Sequence, residues 1–237
     1  MVLWRWELAL HIRVQPEMTS DEAFGIALTT PPMEARSAAE LPADGDWQYE
    51  PKWDGFRCLT FRSGADVELR AKSGKSLSRY FPEVVDAVAK ASKRSFVIDA
   101  EIVIETGGKL SFDALQMRLH PAESRIRKLA AETPAKLIMF DILALDGEEL
   151  LSRSLSDRRR RLEGLFHGLE NHSHRFDLSP CTMDRSCAQD WLIEAGGGQI
   201  DGVIVKDRNG PYLPGERAML KVKAVRTADC VVGGFRY

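Results

Sequence analysis

The segment EPKWDGFR, from Glu50 to Arg57, places Lys52 at the end of an alternating run and just ahead of the turn-forming pair Asp54-Gly55. A lysine held at a strand end beside a tight turn can be aimed at a ligand. To act as a nucleophile it must shed a proton, against a free pKa of ~10.4. Partial burial and nearby cations lower that value, and Arg57 supplies a fixed cation close by in sequence. The chemistry expected of this segment is attack by an amine. The plainer account is a hairpin that carries exposed charges.

Further pieces follow in order. In SFVIDAEIVI, Asp99 and Glu101 are two residues apart on a strand and so share one face. Two carboxylates on one face are costly unless a sugar hydroxyl, a metal or a base uses them; otherwise they mark a solvated edge. FDILALDG sets Phe140 beside Asp141 at an apolar strand, where an aromatic ring can stack on a nucleobase or simply fill the core. DGVIVKD is an apolar run with Asp201 at its entrance and Lys206 at its exit. LKVK puts Lys221 and Lys223 on one face and Leu220 and Val222 on the other. Two lysines side by side repel each other unless an anion lies between them, and a polyphosphate is the natural candidate; protection of a strand edge is the structural account.

The elements that must position these residues are mixed. Strand-like runs appear at WQYEPK, FRCLTFR, DVELRA, SFVIDAEIVI, AKLIMFDILAL, DGVIVKD, AMLKVK and DCVVGGF. FPEVVDAVAKAS has apolar residues at helical spacing, SDRRRRLEGLF opens on a capping candidate, Ser156, and WLIEAGG stops at glycines. Strands outnumber helices and do not alternate strictly with them, which predicts an α+β fold with mostly antiparallel sheets flanked by helices. The basic run Arg158 to Arg161 falls on a predicted helix and reads as a solvated face, with DNA-phosphate contact as the minor alternative. Residues 1–28 fit this pattern poorly and form an extension of unknown role, which leaves residues 29–237 as one domain.

Composition bounds the rest. The chain has 237 residues, 44% hydrophobic and 29% charged, enough to fill a core under a polar surface. Its net charge of −2 does not advertise nucleic acid, so any DNA contact must come from a local basic face. No apolar stretch reaches the ~18 residues that a spanning helix needs. The opening MVLWRWELALHIRV is broken by Arg5, Glu7, His11 and Arg13, and lacks the features of a secretory signal, so the expected location is the cytoplasm. Cys58, Cys181, Cys187 and Cys230 form no C-x-x-C pair and read as reduced thiols, and His172 and His174 read as part of a polar loop.

The ordered series K-x-D-G-x-R, D-x-E, F-D-x-L, acidic-G-V-x-x-K and K-x-K resembles that of the covalent nucleotidyltransferases, and YEPKWDGFR, RYFPEV, LHPAESR and RTADCVVGG are most similar to bacterial ATP-dependent DNA ligases of the repair type. The likeness covers about Pro31 to Tyr237. It implies a ligase adenylation fold, ATP-grasp-like, with a nucleotide cleft between packed sheets. It also implies that Lys52 forms a phosphoramidate with AMP, that Glu50 shapes the adenine pocket, that Arg57 and Glu101 hold the ribose and that Phe140 stacks on adenine. Asp201 and Glu101 would bind Mg2+ or Mn2+, and Lys221 and Lys223 would grip the α-phosphate. ATP is then the cofactor, and nicked double-stranded DNA, with repair proteins, the partner of a monomeric enzyme. The rivals are an RNA ligase, a capping-type nucleotidyltransferase and a nucleotide-binding module without catalysis.

Three positions depart from the usual pattern: Asp201 stands where Glu is usual, Lys72 replaces the arginine of Ser-Arg-x-Gly, and Ala100 replaces the glycine of D-G-E. The Lys72 change turns a bidentate donor into a point charge, still expected to meet a phosphate of the nucleotide or the DNA. An OB-fold domain with a last basic motif follows in such ligases, and the chain is expected to end where it would begin.

Overall fold

The chain leaves one sheet at Trp53 and enters another at Phe56, and this crossing shapes the molecule. The computed structural model describes residues 24–91, 93–169, 173–195 and 200–224. In chain order the elements are β1 (Ala35–Ser37), β2 (Trp47–Trp53), β3 (Phe56–Ser63), β4 (Asp66–Ala71), α1 (Pro82–Ala91), β5 (Phe96–Thr106), β6 (Lys109–Leu110), α2 (Phe112–Arg118), α3 (Glu123–Glu132), β7 (Ala135–Leu145), β8 (Glu148–Glu149), α4 (Leu155–Leu169), β9 (Phe176–Leu178), α5 (Arg185–Glu194), β10 (Ile200–Asp207) and β11 (Met219–Lys223). The first sheet has the order β1-β11-β10-β2 and the second the order β4-β3-β5-β7-β8, with β6 on β5 and β9 on β7. Only β1 on β11 and β9 on β7 pair in parallel among the described strands. This is the α+β, mostly antiparallel architecture expected.

Period-two alternation with both faces covered builds three layers. On β5, Phe96, Ile98, Ala100 and Ile102 pack with Val84 and Val88 of α1 and Leu162, Leu165 and Leu169 of α4. The opposite face carries Val97, which joins Leu59, Phe61, Leu143, Tyr212 and Met219 between the sheets. Outside the first sheet, Tyr49, Val203, Val205 and Val222 pack on Ala188 and Trp191 of α5. Each fully buried Val, Leu or Phe contributes about 1.5–3 kcal/mol, which fastens the sheets face to face. Phe24 and Ile26 are buried in the middle layer, so packing reaches back at least to Phe24.

Several local expectations change. Lys52 does not sit in a hairpin, since β2 pairs with β10 and β3 with β4 and β5. The cap of α4 is Ser154, whose hydroxyl accepts from the Asp157 N–H at 3.3 Å; Ser156 instead donates to the Arg208 carbonyl. The run Arg158–Arg161 is not one solvated face: Arg158 is 1% exposed and forked onto Asp141, while Arg159 bonds Glu163 and the Ser179 carbonyl. Arg160 alone of the four keeps the expected exposure. Helices α2 and α3 had no clear sequence signal, because α3 buries little beyond Ile126 and Ala130. Cys58, Cys181 and Cys187 are free thiols and His174 is an exposed turn residue. Cys230, His172, the DCVVGGF strand and residues 1–23 lie outside the described residues.

Candidate active site

Between the two sheets, beyond the apolar middle layer, opens a cleft of about 680 Å³. Glu50 and Lys52 of β2, Ile204 and Lys206 of β10 and Met219 and Lys221 of β11 form one wall. Arg57 of β3, Glu101 of β5, Phe140 of β7 and Lys72 after β4 form the other. Seven of the nine residues singled out in the sequence therefore line one cavity (Glu50, Lys52, Arg57, Lys72, Glu101, Phe140 and Lys221). Of the remaining two, Asp201 joins it through Lys52 and Lys223 through Asp201.

Lys52 is placed by a β-bulge. Ile200 pairs with Trp53 and Val203 with Pro51, so Asp201 and Gly202 together oppose Lys52. A bulge of this kind kinks the strand and re-aims a side chain. Asp201 Oδ2 then lies 2.9 Å from Lys52 Nζ and 3.0 Å from Lys223 Nζ. Burial works against ionisation of Asp201, but hydrogen bonds from the two ammoniums outweigh it and hold the carboxyl below its ordinary range. Gly202 has φ +149°, and a Cβ there would strike the Val222 carbonyl oxygen, so the bulge needs glycine. Gly55 serves close approach rather than a left-handed turn: a Cβ would collide with the Ile102 carbonyl oxygen as the chain enters the second sheet.

A second bulge places Phe140. Asp99 pairs with Asp141 and Ala100 with Met139, which leaves Phe140 as the extra residue, turned into the cleft. Arg57 lies over one region of its ring at 5.5 Å and Lys206 Nζ at 4.9 Å. Behind it Lys206, 3% exposed, bonds Glu50 Oε2 at 2.8 Å, and Gln48 donates to Glu50 Oε1 at 2.7 Å. Sequence reasoning had noted Lys206 at the exit of its strand without giving it a role. Its signal was a charge closing an apolar run.

Asp99 and Glu101 share a face as expected but diverge in environment. Asp99 is fully buried and accepts a fork from Arg57, at 3.0 and 2.6 Å. Desolvation opposes the Arg57 charge, yet Asp99 outweighs it and Arg57 stays a cation. Glu101 lacks such a fork, and burial pushes its carboxyl up to about 8 against the pull of Arg57 and Lys52. At the mouth, Glu34 takes Lys72 at 3.1 Å from across the cleft and Arg217 at 3.8 Å. Lys221 has no carboxylate within 4 Å among the described residues, so it brings uncompensated positive charge to the wall. An aromatic face, a dry Glu–Lys pair, an aimed lysine and surplus positive charge together suit a nucleotide with its phosphates directed at Lys52.

The comparisons with known proteins agree with this geometry. Residues 32–223 match the family model of the ATP dependent DNA ligase domain. DNA ligase C of Mycobacterium tuberculosis is 45% identical over 206 residues, 86% of this chain and 57% of that protein. DNA ligase C2 of Mycolicibacterium smegmatis is 46% identical over 205 residues, 86% of this chain and 56% of that protein. The chain thus spans little more than half the length of these relatives. Among solved structures, the ligase domain of LigD from M. tuberculosis superposes with a TM-score of 0.65 at 27% identity, covering 83% of this chain and 61% of that one. A mycobacterial DNA ligase D complexed with ATP and MES gives 0.63 at 27% identity, covering 83% and 60%. The chain belongs to the ATP-dependent DNA ligase domain family.

Proposed function

We propose that this chain is the nucleotide-charging domain of an ATP-dependent DNA ligase, with Lys52 as the nucleophile. Lys52 Nζ attacks the α-phosphorus of ATP: the N–P bond forms, the bond from that phosphorus to the bridging oxygen breaks, and pyrophosphate leaves with the electron pair. The lysine's proton is released. AMP then moves to the 5′-phosphate at a nick, and attack by the 3′-hydroxyl joins the strands and frees AMP. The observation that carries this reading is the seat of Lys52 at a bulge, on the wall of a cleft whose other wall holds Phe140 and Arg57.

Position supports the remaining roles in this reading. Phe140 stacks on adenine with Glu50 and Lys206 behind it, Arg57 and Glu101 hold the ribose, and Lys221 and Lys223 hold the α-phosphate. Lys72 meets a phosphate at the mouth. Catalysis of this kind rests on in-line positioning and charge neutralisation.

Mg2+ or Mn2+ fits the donors available. Among the described residues no group of three or more His, Cys, Asp or Glu side chains is arranged to cage an ion. Asp201 uses Oδ2 for both lysines, which leaves Oδ1 for a cation. A hard ion held by one or two carboxylates, waters and substrate phosphates matches that set, with Glu101 as the second ligand once a cation displaces its proton. When bound, it would neutralise phosphate charge.

Intact mass after exposure to ATP and magnesium tests the proposal. A gain of one AMP is expected, and an unchanged mass together with no label retained after denaturation would refute it. GTP in place of ATP, and nicked RNA in place of nicked DNA, separate the capping-type and RNA-joining alternatives.

A further inference from the structure

The Arg57–Asp99 fork leaves one question open: what orients Asp99. Tyr212 is 2% exposed and sits between β10 and β11, on the side of the first sheet. Its hydroxyl donates to Asp99 Oδ2 at 2.6 Å, the same oxygen that takes Arg57 Nη2. The same hydroxyl accepts from the Met33 N–H at 2.9 Å, immediately before Glu34 of the cleft mouth. Its ring lies under the Arg158 guanidinium at 5.7 Å, and Arg158 is itself forked onto Asp141, the cross-strand neighbour of Asp99. One side chain therefore ties the loop between β10 and β11, the segment that leads into β1 of the same sheet and a carboxylate of the other.

We propose that Tyr212 is a positioning residue for nucleotide recognition, acting through Asp99 to hold Arg57 where it meets the ribose 2′-hydroxyl. The inference rests on the nucleotide reading of the cleft given above. Its physical content is pre-organisation. A buried carboxylate with only Arg57 for company is free to turn about its own axis, and a guanidinium that follows it samples orientations that miss the sugar. The Tyr212 hydroxyl is a third, rigid point that removes that freedom before ligand arrives. Because the tyrosine is anchored from the opposite sheet, it also fixes the distance between the cleft walls at that level. A purely structural tyrosine would stabilise the core yet leave discrimination at the 2′ position untouched.

The experiment compares equilibrium binding of α,β-methylene ATP and its 2′-deoxy counterpart to the full chain, which needs no covalent step. Wild-type protein should prefer the ribonucleotide. Tyr212→Phe, which keeps the ring and removes the hydroxyl, should fold and lose about fivefold of that preference, the scale of one hydrogen bond. In an Arg57→Ala background, Tyr212→Phe should change the preference no further. Asp99→Asn is the second variant, and serves alone if the phenylalanine variant fails a near-ultraviolet dichroism check; it should shift the preference in the same direction. An unchanged preference in whichever of these variants folds, or equal losses from Tyr212→Phe with and without Arg57, overturns the proposal. So does a wild-type protein indifferent to the 2′-hydroxyl. Failure of the ligase reading shows up separately, as absence of the AMP mass gain with ATP.

Discussion

Asp201 Oδ2 lies 2.9 Å from Lys52 Nζ and 3.0 Å from Lys223 Nζ, so one carboxylate holds two ammoniums that would otherwise repel each other. Lys52 and Asp201 are 149 apart in sequence and meet because two residues of β10 oppose one of β2. The arrangement holds the Lys52 ammonium at the cleft wall before any nucleotide arrives. It also gives a ready answer to how several positive charges can gather in a chain of net charge −2.

Lys52→Ala should abolish covalent AMP and leave the fold intact. The side chain is partly exposed and its loss opens no core cavity. Mass spectrometry of the variant after incubation with ATP and magnesium, beside a thermal melt, makes the check. Retained AMP after denaturation would assign the nucleophile elsewhere.

Asp201→Ala should slow self-adenylation by roughly one to two orders of magnitude, the scale of losing a group that orients a metal and the side chains around it. Asp201→Glu should retain much more activity, since a carboxylate remains to bridge Lys52 and Lys223. A magnesium titration sharpens the comparison, because the alanine variant should require more metal. Equal rates for wild type and alanine variant at every magnesium concentration would remove Asp201 from the site.

The Glu50–Lys206 pair is buried on both sides, each 3% exposed. Lys206→Met should therefore destabilise the fold by about 3–5 kcal/mol, because Glu50 is left charged and dry. Replacing both residues together, Lys206→Met with Glu50→Gln, should recover a good part of that loss. Denaturant melts of the two singles and the double provide the cycle. If the double costs the sum of the singles, the pair is not coupled and this account of the pocket floor is wrong.

Glu101 makes stability depend on pH in a defined sense. Its folded-state carboxyl is pushed up to about 8, by burial first, whereas an unfolded chain titrates near ~4.3. Between those values the folded protein keeps a proton that the unfolded chain gives up. The stabilisation is complete below the unfolded value, declines as pH rises through the window and is gone above about 8. Glu101→Gln should flatten that decline in thermal melts of AMP-free protein from pH 5 to 9, set by these limits. Parallel slopes for wild type and variant would show that Glu101 is not the group responsible.

Lys52 at the end of its strand, the shared face of Asp99 and Glu101, and the shared face of Lys221 and Lys223 were all legible in the chain, because each depends on local spacing, whereas Asp54-Gly55 is a crossing between sheets rather than the turn expected. Alternation with period two needs only the backbone of a single strand. The strands themselves were mostly legible for the same reason, whereas α2 and α3 were not, since each is short and buries only two apolar residues. Tertiary structure decided the rest. Phe140 faces the cleft because a register shift against β5 makes it an extra residue, and no window of β7 alone contains that shift. Four consecutive arginines look alike in sequence, yet Arg158 is buried because Asp141 awaits it from β7, while Arg160 stays in solvent. Tyr212 reached no motif at all. It matters because its hydroxyl meets Asp99, 113 residues away, and a contact at that separation depends on how the two sheets pack rather than on any pattern along the chain.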